Sequence, residues 1–300
     1  MRPADRMSLK EAMRAEAPAV SIDISVRKRG NVWRFVKRHA LTAYALLAVG
    51  YLMLPIAVVI LFSFNHPTGR FNYVWNEFTF DNWIHWDAVL GIRPSIITSL
   101  ELATIATLVA TALGTLIALA IVRHRFLGHG ATNLFIFLPM ATPEIVMGSS
   151  LLTLFLNTSS IFQLGFWTIF IAHVMFTISF VVVTVKARLI GFDRHLEEAA
   201  MDLGANELTT FRKVTLPLLA PAMLAAALLG FALSIDDFVI TYLNAGPTQT
   251  FPIFVWGIAR VAVPPQVNVV ASAIFVLAIA LGLANVLWQY RAAKSEKGVL

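Results

Sequence analysis

Six stretches of this chain are long enough to cross a bilayer and carry at most one charged residue each. They are residues 40–64, 95–122, 131–156, 165–185, 218–235 and 269–288; the two charges are Glu101 in the second and Glu144 in the third. A spanning helix needs about 20 mostly apolar residues. In hydrocarbon the backbone must satisfy its own hydrogen bonds, which a helix does within a single segment. Strands of a membrane barrel would be shorter and would alternate apolar with polar residues. Composition agrees: 58% of the 300 residues are hydrophobic and 13% are charged. A soluble protein of that size cannot hide so much apolar side chain. An ordinary soluble enzyme and a disordered chain are therefore excluded, and the fold expected is all-α: a polytopic membrane protein with six transmembrane helices.

The net charge of +6 is distributed for topology and does not call for a nucleic-acid partner. With the N-terminus inside, 20 of the 23 Lys and Arg fall on the inner side, ten of them in residues 1–39. The positive-inside rule then places both termini in the cytoplasm. The expected divisions are a basic cytoplasmic tail over 1–39, a membrane domain over 40–290 and a short cytoplasmic tail over 291–300. The first apolar stretch is too long, and too far behind the polar tail, for a cleaved signal peptide. In that tail, Ser8-Leu9-Lys10-Glu11 fits a capping box. Arg27-Lys28-Arg29 through Lys37-Arg38 suits either a helix lying on the inner leaflet or a tail that only enforces topology. The outer stretch with Phe71, Tyr73, Trp75, Phe78, Phe80, Trp83 and Trp86 reads as an interfacial belt, as packing, or as a docking surface.

One inner loop, about residues 187–217, is long and patterned. Leu196, Ala199, Ala200 and Leu203 recur at helical spacing. Asp193 is placed to cap the helix, Glu197 adds acid near its start, and Gly204 is placed to end it. A second helical piece is expected from Asn206 to about Val214, with Leu216-Pro217 opening the next span. A short amphipathic helix with a glycine corner suits docking; the plainer reading is a helix that lies on the membrane.

Glu198-Ala199-Ala200, three residues, Gly204, nine residues and then Val214-Thr215-Leu216-Pro217 resembles the EAA motif of bacterial ABC importer permeases, with Val in place of the family's Ile. In that family the loop is a coupling helix that docks on an ATPase subunit. The resemblance thus implies a type I importer permease fold and gives Glu198, Ala199, Ala200, Asp202, Gly204, Leu216 and Pro217 to ATPase coupling. Leu164-Gly165-Phe166-Trp167, Met201-Asp202-Leu203-Gly204-Ala205, Ser234-Ile235-Asp236-Asp237 and Gly246-Pro247 are similar to the spermidine/putrescine branch. This likeness covers roughly residues 40–290. It implies a dimer of ATPase subunits that binds ATP and magnesium, a second permease subunit, an extracytoplasmic solute-binding protein, a small cationic substrate and no cofactor in this chain. No G-x-x-x-x-G-K-[ST] loop occurs, so the chain cannot hold ATP by that route.

Ionisable residues inside a span are costly and mark transport paths. A polyamine needs acids for its ammonium groups, with apolar walls and aromatic faces for the rest. Asp236, Asp237, Glu144 and Tyr242 are the pathway candidates. Adjacent acids point about 100° apart on a helix, so one of Asp236 and Asp237 can face the pore while the other binds a neighbour. Pro139 and Pro143 should break or kink the third span. Glu101 has small neighbours suited to close helix packing, and His173 suits a hydrogen bond between helices better than a ligand role. No histidine spacing fits a metal site, and the absence of cysteine excludes thiol catalysis and disulfides. Two alternatives stay open. One is an importer permease for another small solute, such as an amino-acid-like compound, thiamine or an iron complex. The other is a stand-alone secondary transporter.

Overall fold

The computed structural model describes residues 31–124, 126–159 and 161–297. The capping-box residues Ser8–Glu11 and the basic run Arg27-Lys28-Arg29 lie outside them. The twelve helices named below follow chain order among the described residues. α1 (Asn31–Ser63) is continuous, so residues 31–38 extend the first span's own helix. Then come α2 (Asp81–Ile84), α3 (Ile92–Arg123), α4 (His129–Ala141), α5 (Glu144–Asn157), α6 (Phe166–Ile190), α7 (His195–Asp202), α8 (Glu207–Thr210), α9 (Leu216–Ile235), α10 (Val239–Asn244), α11 (Phe251–Ile258) and α12 (Pro265–Lys297). Contacts divide the chain after Pro55. The first unit, in its described part, is the N-terminal portion of α1, and everything below concerns the second.

Five helices are long and apolar enough to span by themselves, and α4 with α5 makes a sixth when taken as one broken span. The two halves meet at 106°. The break falls at Pro143, while Pro139 stays inside α4. Thr142 turns extended just before Pro143, and Glu144 becomes the first residue of α5. The fifth span is longer than its apolar run, because the helix runs unbroken from Glu207 to Ile235. A π turn over Phe211–Thr215 joins α8 to α9, with the Leu216 amide donating to the Phe211 carbonyl. Pro217 follows at the start of α9, where its missing N–H is absorbed by this wider turn.

The core is a block of α3, α6 and α9. Ala103, Ala106, Ala110, Gly114 and Ala118 line the buried face of α3. Small residues let helix backbones approach closely in a bilayer, where hydrophobicity does not drive helices together. A Cβ on Gly114 would stand 2.7 Å from Val181 Cγ1, so α3 and α6 touch there through glycine alone. Ala110, Ala118 and Ile121 of α3 form one buried cluster with Val181, Val182, Val185, Leu189, Leu219 and Ala226.

The stretch 242–268, an outer loop by hydropathy, is largely folded. α10 packs on α5 and α6 through Ile240, and α11 packs on α3 and α12 through Phe254. These helices are six and eight residues long. Tertiary burial makes them, not a spanning length of apolar sequence. The aromatic stretch after α1 is also built. Phe64 stacks on Phe78 and Trp83 and meets Phe80 edge-on. The Asn65 amide donates to Asn72 Oδ1 (2.6 Å) and to the Val74 carbonyl (2.8 Å). Phe78 and Phe80 still expose their outer faces.

Candidate functional site

Two constellations stand at opposite ends of the α3–α6–α9 block. The first is the patterned loop. The Asp193 carboxylate accepts the His195 amide at 3.0 Å, so it bonds the first amide of α7 from one residue before the N-cap position, which Arg194 occupies. At the other end Gly204 has φ +89°. Its amide donates to the Met201 carbonyl and the Ala205 amide to the Ala200 carbonyl, the paired bonds of a Schellman corner. The Asn206 side chain then accepts the Thr209 amide and starts α8.

The two glutamates of this helix part company. Glu197 turns toward the membrane helices with 13% of its side chain exposed. Its Oε2 accepts from Arg123 Nη1, and its Oε1 accepts from Arg123 Nη2 at 2.6 Å and from the Thr215 hydroxyl. The Arg123 guanidinium also lies 5.4 Å from the centre of the Phe192 ring. The Glu198 side chain faces away, exposed, with its Oε2 3.0 Å from Nδ1 of His195 one turn back. Ala199, Asp202 and Gly204 share the exposed side, with Ala200 half-buried. Leu203 is 90% exposed. The loop therefore carries a contiguous outward face of small, acidic and apolar residues. Leu216 and Pro217 lie beyond it, in the first turn of α9.

The second constellation sits where α9 ends. Asp236 lines an open cavity of about 750 Å³ together with Phe231, Phe238, Phe251 and Trp256. The Phe238 ring lies 5.2 Å from Trp256 and 5.3 Å from Tyr242, so three aromatic faces form a continuous run. Glu144, exposed at the break between α4 and α5, and Asp237 both lie within electrostatic range of Asp236. Asp237 itself turns inward. Its Oδ2 accepts the Thr241 amide (2.8 Å) and hydroxyl (2.7 Å), and its Oδ1 takes the Ile240 amide at 3.4 Å. His173 from α6 completes the network, with Nδ1 2.7 Å from the Ser234 hydroxyl and Nε2 2.8 Å from the Thr241 hydroxyl. His173 is 2% exposed and bridges α9 to α10, a bond between helices as its position suggested.

The structure thus groups Asp236, Glu144 and Tyr242 near one cavity, assigns Asp237 a helix-start bond network beside it, and puts Glu101 on an exposed side of α3, next in sequence to Leu100 of the cavity wall. Sequence reasoning treated Glu197 only as helix-start acid, and no local signal ties it to Arg123, 74 positions earlier.

Comparison with known proteins fits this architecture. The family model described as binding-protein-dependent transport system inner membrane component matches residues 110–294. The chain is 39% identical over 240 residues to the spermidine/putrescine transport system permease protein PotC of Escherichia coli (strain K12), covering 78% of this chain and 88% of that one. It is 34% identical over 261 residues to the putrescine transport system permease protein PotI of the same strain, covering 84% and 90% respectively. In fold it is similar to a chain of a bacterial ABC transporter involved in the import of the acidic polysaccharide alginate, with a TM-score of 0.64 at 15% identity over 87% of this chain and 98% of that one. This chain is accordingly an inner-membrane permease subunit, not an enzyme, and belongs to the family of binding-protein-dependent transport system inner membrane components.

Proposed function

We propose that this chain forms one half of the translocation pathway of an ATP-driven importer of polyamines such as putrescine and spermidine, working by alternating access. The observation that carries the reading is the cavity at the end of α9, where Asp236 sits among Phe231, Phe238 and Trp256. A carboxylate beside aromatic faces suits an ammonium group, and apolar walls suit the methylenes between ammonium groups. Tyr242 extends the aromatic run and Glu144 adds a second acid within range. Asp237 holds the start of α10 and so fixes the wall that carries Phe238. The names of PotC and PotI point to the same substrate class.

Both termini lie in the cytoplasm, with 1–39 and 291–300 as tails around a membrane domain over 40–290. Glu198, Ala199, Ala200, Asp202 and the Gly204 corner dock on an ATPase subunit, and Leu216-Pro217 passes the contact into α9. ATP and magnesium bind on a pair of such ATPase subunits, and no cofactor resides in this chain. A second permease subunit supplies the other half of the pathway, and an extracytoplasmic binding protein delivers the substrate.

The test is uptake of labelled putrescine and spermidine in cells lacking the chain, complemented with wild type, Glu198→Arg, or Asp236→Asn. Wild type restores uptake. Glu198→Arg abolishes it at unchanged membrane level, and Asp236→Asn weakens it. Absence of polyamine uptake with wild type, when all partner subunits are present, removes the substrate assignment.

A further inference from the structure

We propose that Glu197 is the positioning residue through which the docking loop moves the substrate cavity. This rests on reading the loop as ATPase-docking. The outward face of α7 is free to meet a partner, and besides the chain itself, which leads through α8 into α9, a contact there reaches the membrane helices through bonds on the inward face. Glu197 supplies them, since its two oxygens grip two different helices. Arg123 is the last residue of α3, and Thr215 is the residue just before α9.

Both helices reach the cavity, α9 at its end and α3 at Leu100. α9 runs about 30 Å from Thr215 to Asp236 at 1.5 Å per residue. α3 runs about 35 Å from Arg123 to Ser99. There Ser99 Oγ accepts the Phe251 amide at 2.8 Å. Phe251 opens α11, which carries Trp256 to the cavity wall. One carboxylate therefore holds the near ends of the two helices whose far ends place Asp236 and Trp256.

The helices between are stiff enough to carry a displacement. A Cβ on Gly230 of α9 would meet Thr177 of α6 at 2.6 Å and Thr107 of α3 at 3.8 Å, so the three helices interlock without slack. The strut matches that stiffness. A two-pronged arginine–carboxylate pair fixes direction as well as distance, and a mostly buried pair escapes most salt screening. Glu198 has neither property, being exposed and bonded within its own helix.

The test uses the complete importer with its ATPase, and the reporter Ala259→Cys at the cavity wall. The chain has no cysteine of its own, so maleimide labels that site alone within it. With the otherwise wild-type chain, the labelling rate differs severalfold between the nucleotide-free and ATP–vanadate states. Glu197→Gln, and separately Arg123→Lys, which keeps the charge but loses the fork, cut that severalfold ratio to less than about twofold, a loss within the range for mutations between coupled sites. The ATPase stays bound and keeps hydrolysing ATP. Exchanging the two charges in Glu197→Arg/Arg123→Glu recovers part of the response. A full nucleotide response in Glu197→Gln and Arg123→Lys overturns the inference. So does loss of the ATPase from either variant, which would make the pair part of the docking surface. Failure of the wild-type chain to retain an ATPase would instead sink the docking reading.

Discussion

Gly230 of α9 and Thr177 of α6 approach so closely that a Cβ on the glycine would stand 2.6 Å from the threonine methyl. Gly230→Val is therefore expected to push α9 off α6 and to cost about 1–3 kcal/mol, the usual range for overpacking. The thermal midpoint of the detergent-purified protein should fall. Gly257→Ala makes the control, because a Cβ there meets nothing within 4 Å. An equal loss in both variants would mean that the close approach does not govern stability.

The adjacent aspartates separate stability from transport. Asp237→Ala strips acceptors from the Ile240 and Thr241 amides and from the Thr241 hydroxyl. Leaving such buried donors unpaired costs about 1–3 kcal/mol. Its main effect should be a lower amount of folded protein. Asp236→Asn should leave that amount unchanged and raise KM for diamine uptake. Uptake measured per folded molecule distinguishes the two, and a raised KM in Asp237→Ala at full folded yield would reverse their roles.

The Gly204 corner gives a graded series. With φ +89° and open space around the missing side chain, substitution there strains backbone alone. A left-handed conformation costs an ordinary L residue about 1–2 kcal/mol, and asparagine less. ATPase retained on the purified permease should fall in the order glycine, asparagine, alanine, valine, while the level of permease in the membrane stays constant. A flat series would show that the corner tolerates another turn.

Asn65 ties the aromatic stretch together, because its Oδ1 also accepts the Asn76 amide at 2.8 Å. Asn65→Leu removes that acceptor and both donated bonds from a fully buried position and is expected to loosen residues 65–83 by about 2 kcal/mol. Hydrogen exchange over that segment should rise by roughly the matching tenfold or more, with α6 unchanged. Equal exchange in mutant and wild type would assign the order of this segment to its rings.

Much of this molecule is legible in its sequence because the bilayer demands long apolar helices and the docking loop carries its own local punctuation. Asp193, Gly204 and Asn206 each act within a few residues, so position alone reveals them. Pro139 and Pro143 likewise announce a break, though not its 106° angle, which packing sets. The helices α10 and α11 escape, since neither carries a period or length that stands out without Gly148, Phe155 or Ile92 to bury against. Glu197 escapes for a related reason. Nothing local tells which of two consecutive glutamates faces an arginine on another helix, and the motif that draws attention to the loop begins with the other one.

The wide turn over Phe211–Thr215 sets the phase of the helix that follows. A π turn holds one residue more than an α turn, and one residue is about 100° of helix. Everything beyond it, to Asp236, is thereby indexed to a different face than an uninterrupted helix would present. Recasting the same residues as an uninterrupted α-helix would rotate the far end like a key in a lock, carrying the acid off its cavity and Gly230 off Thr177 together, whereas deleting one residue of the turn would leave an ordinary α turn and keep Asp236 on its present face.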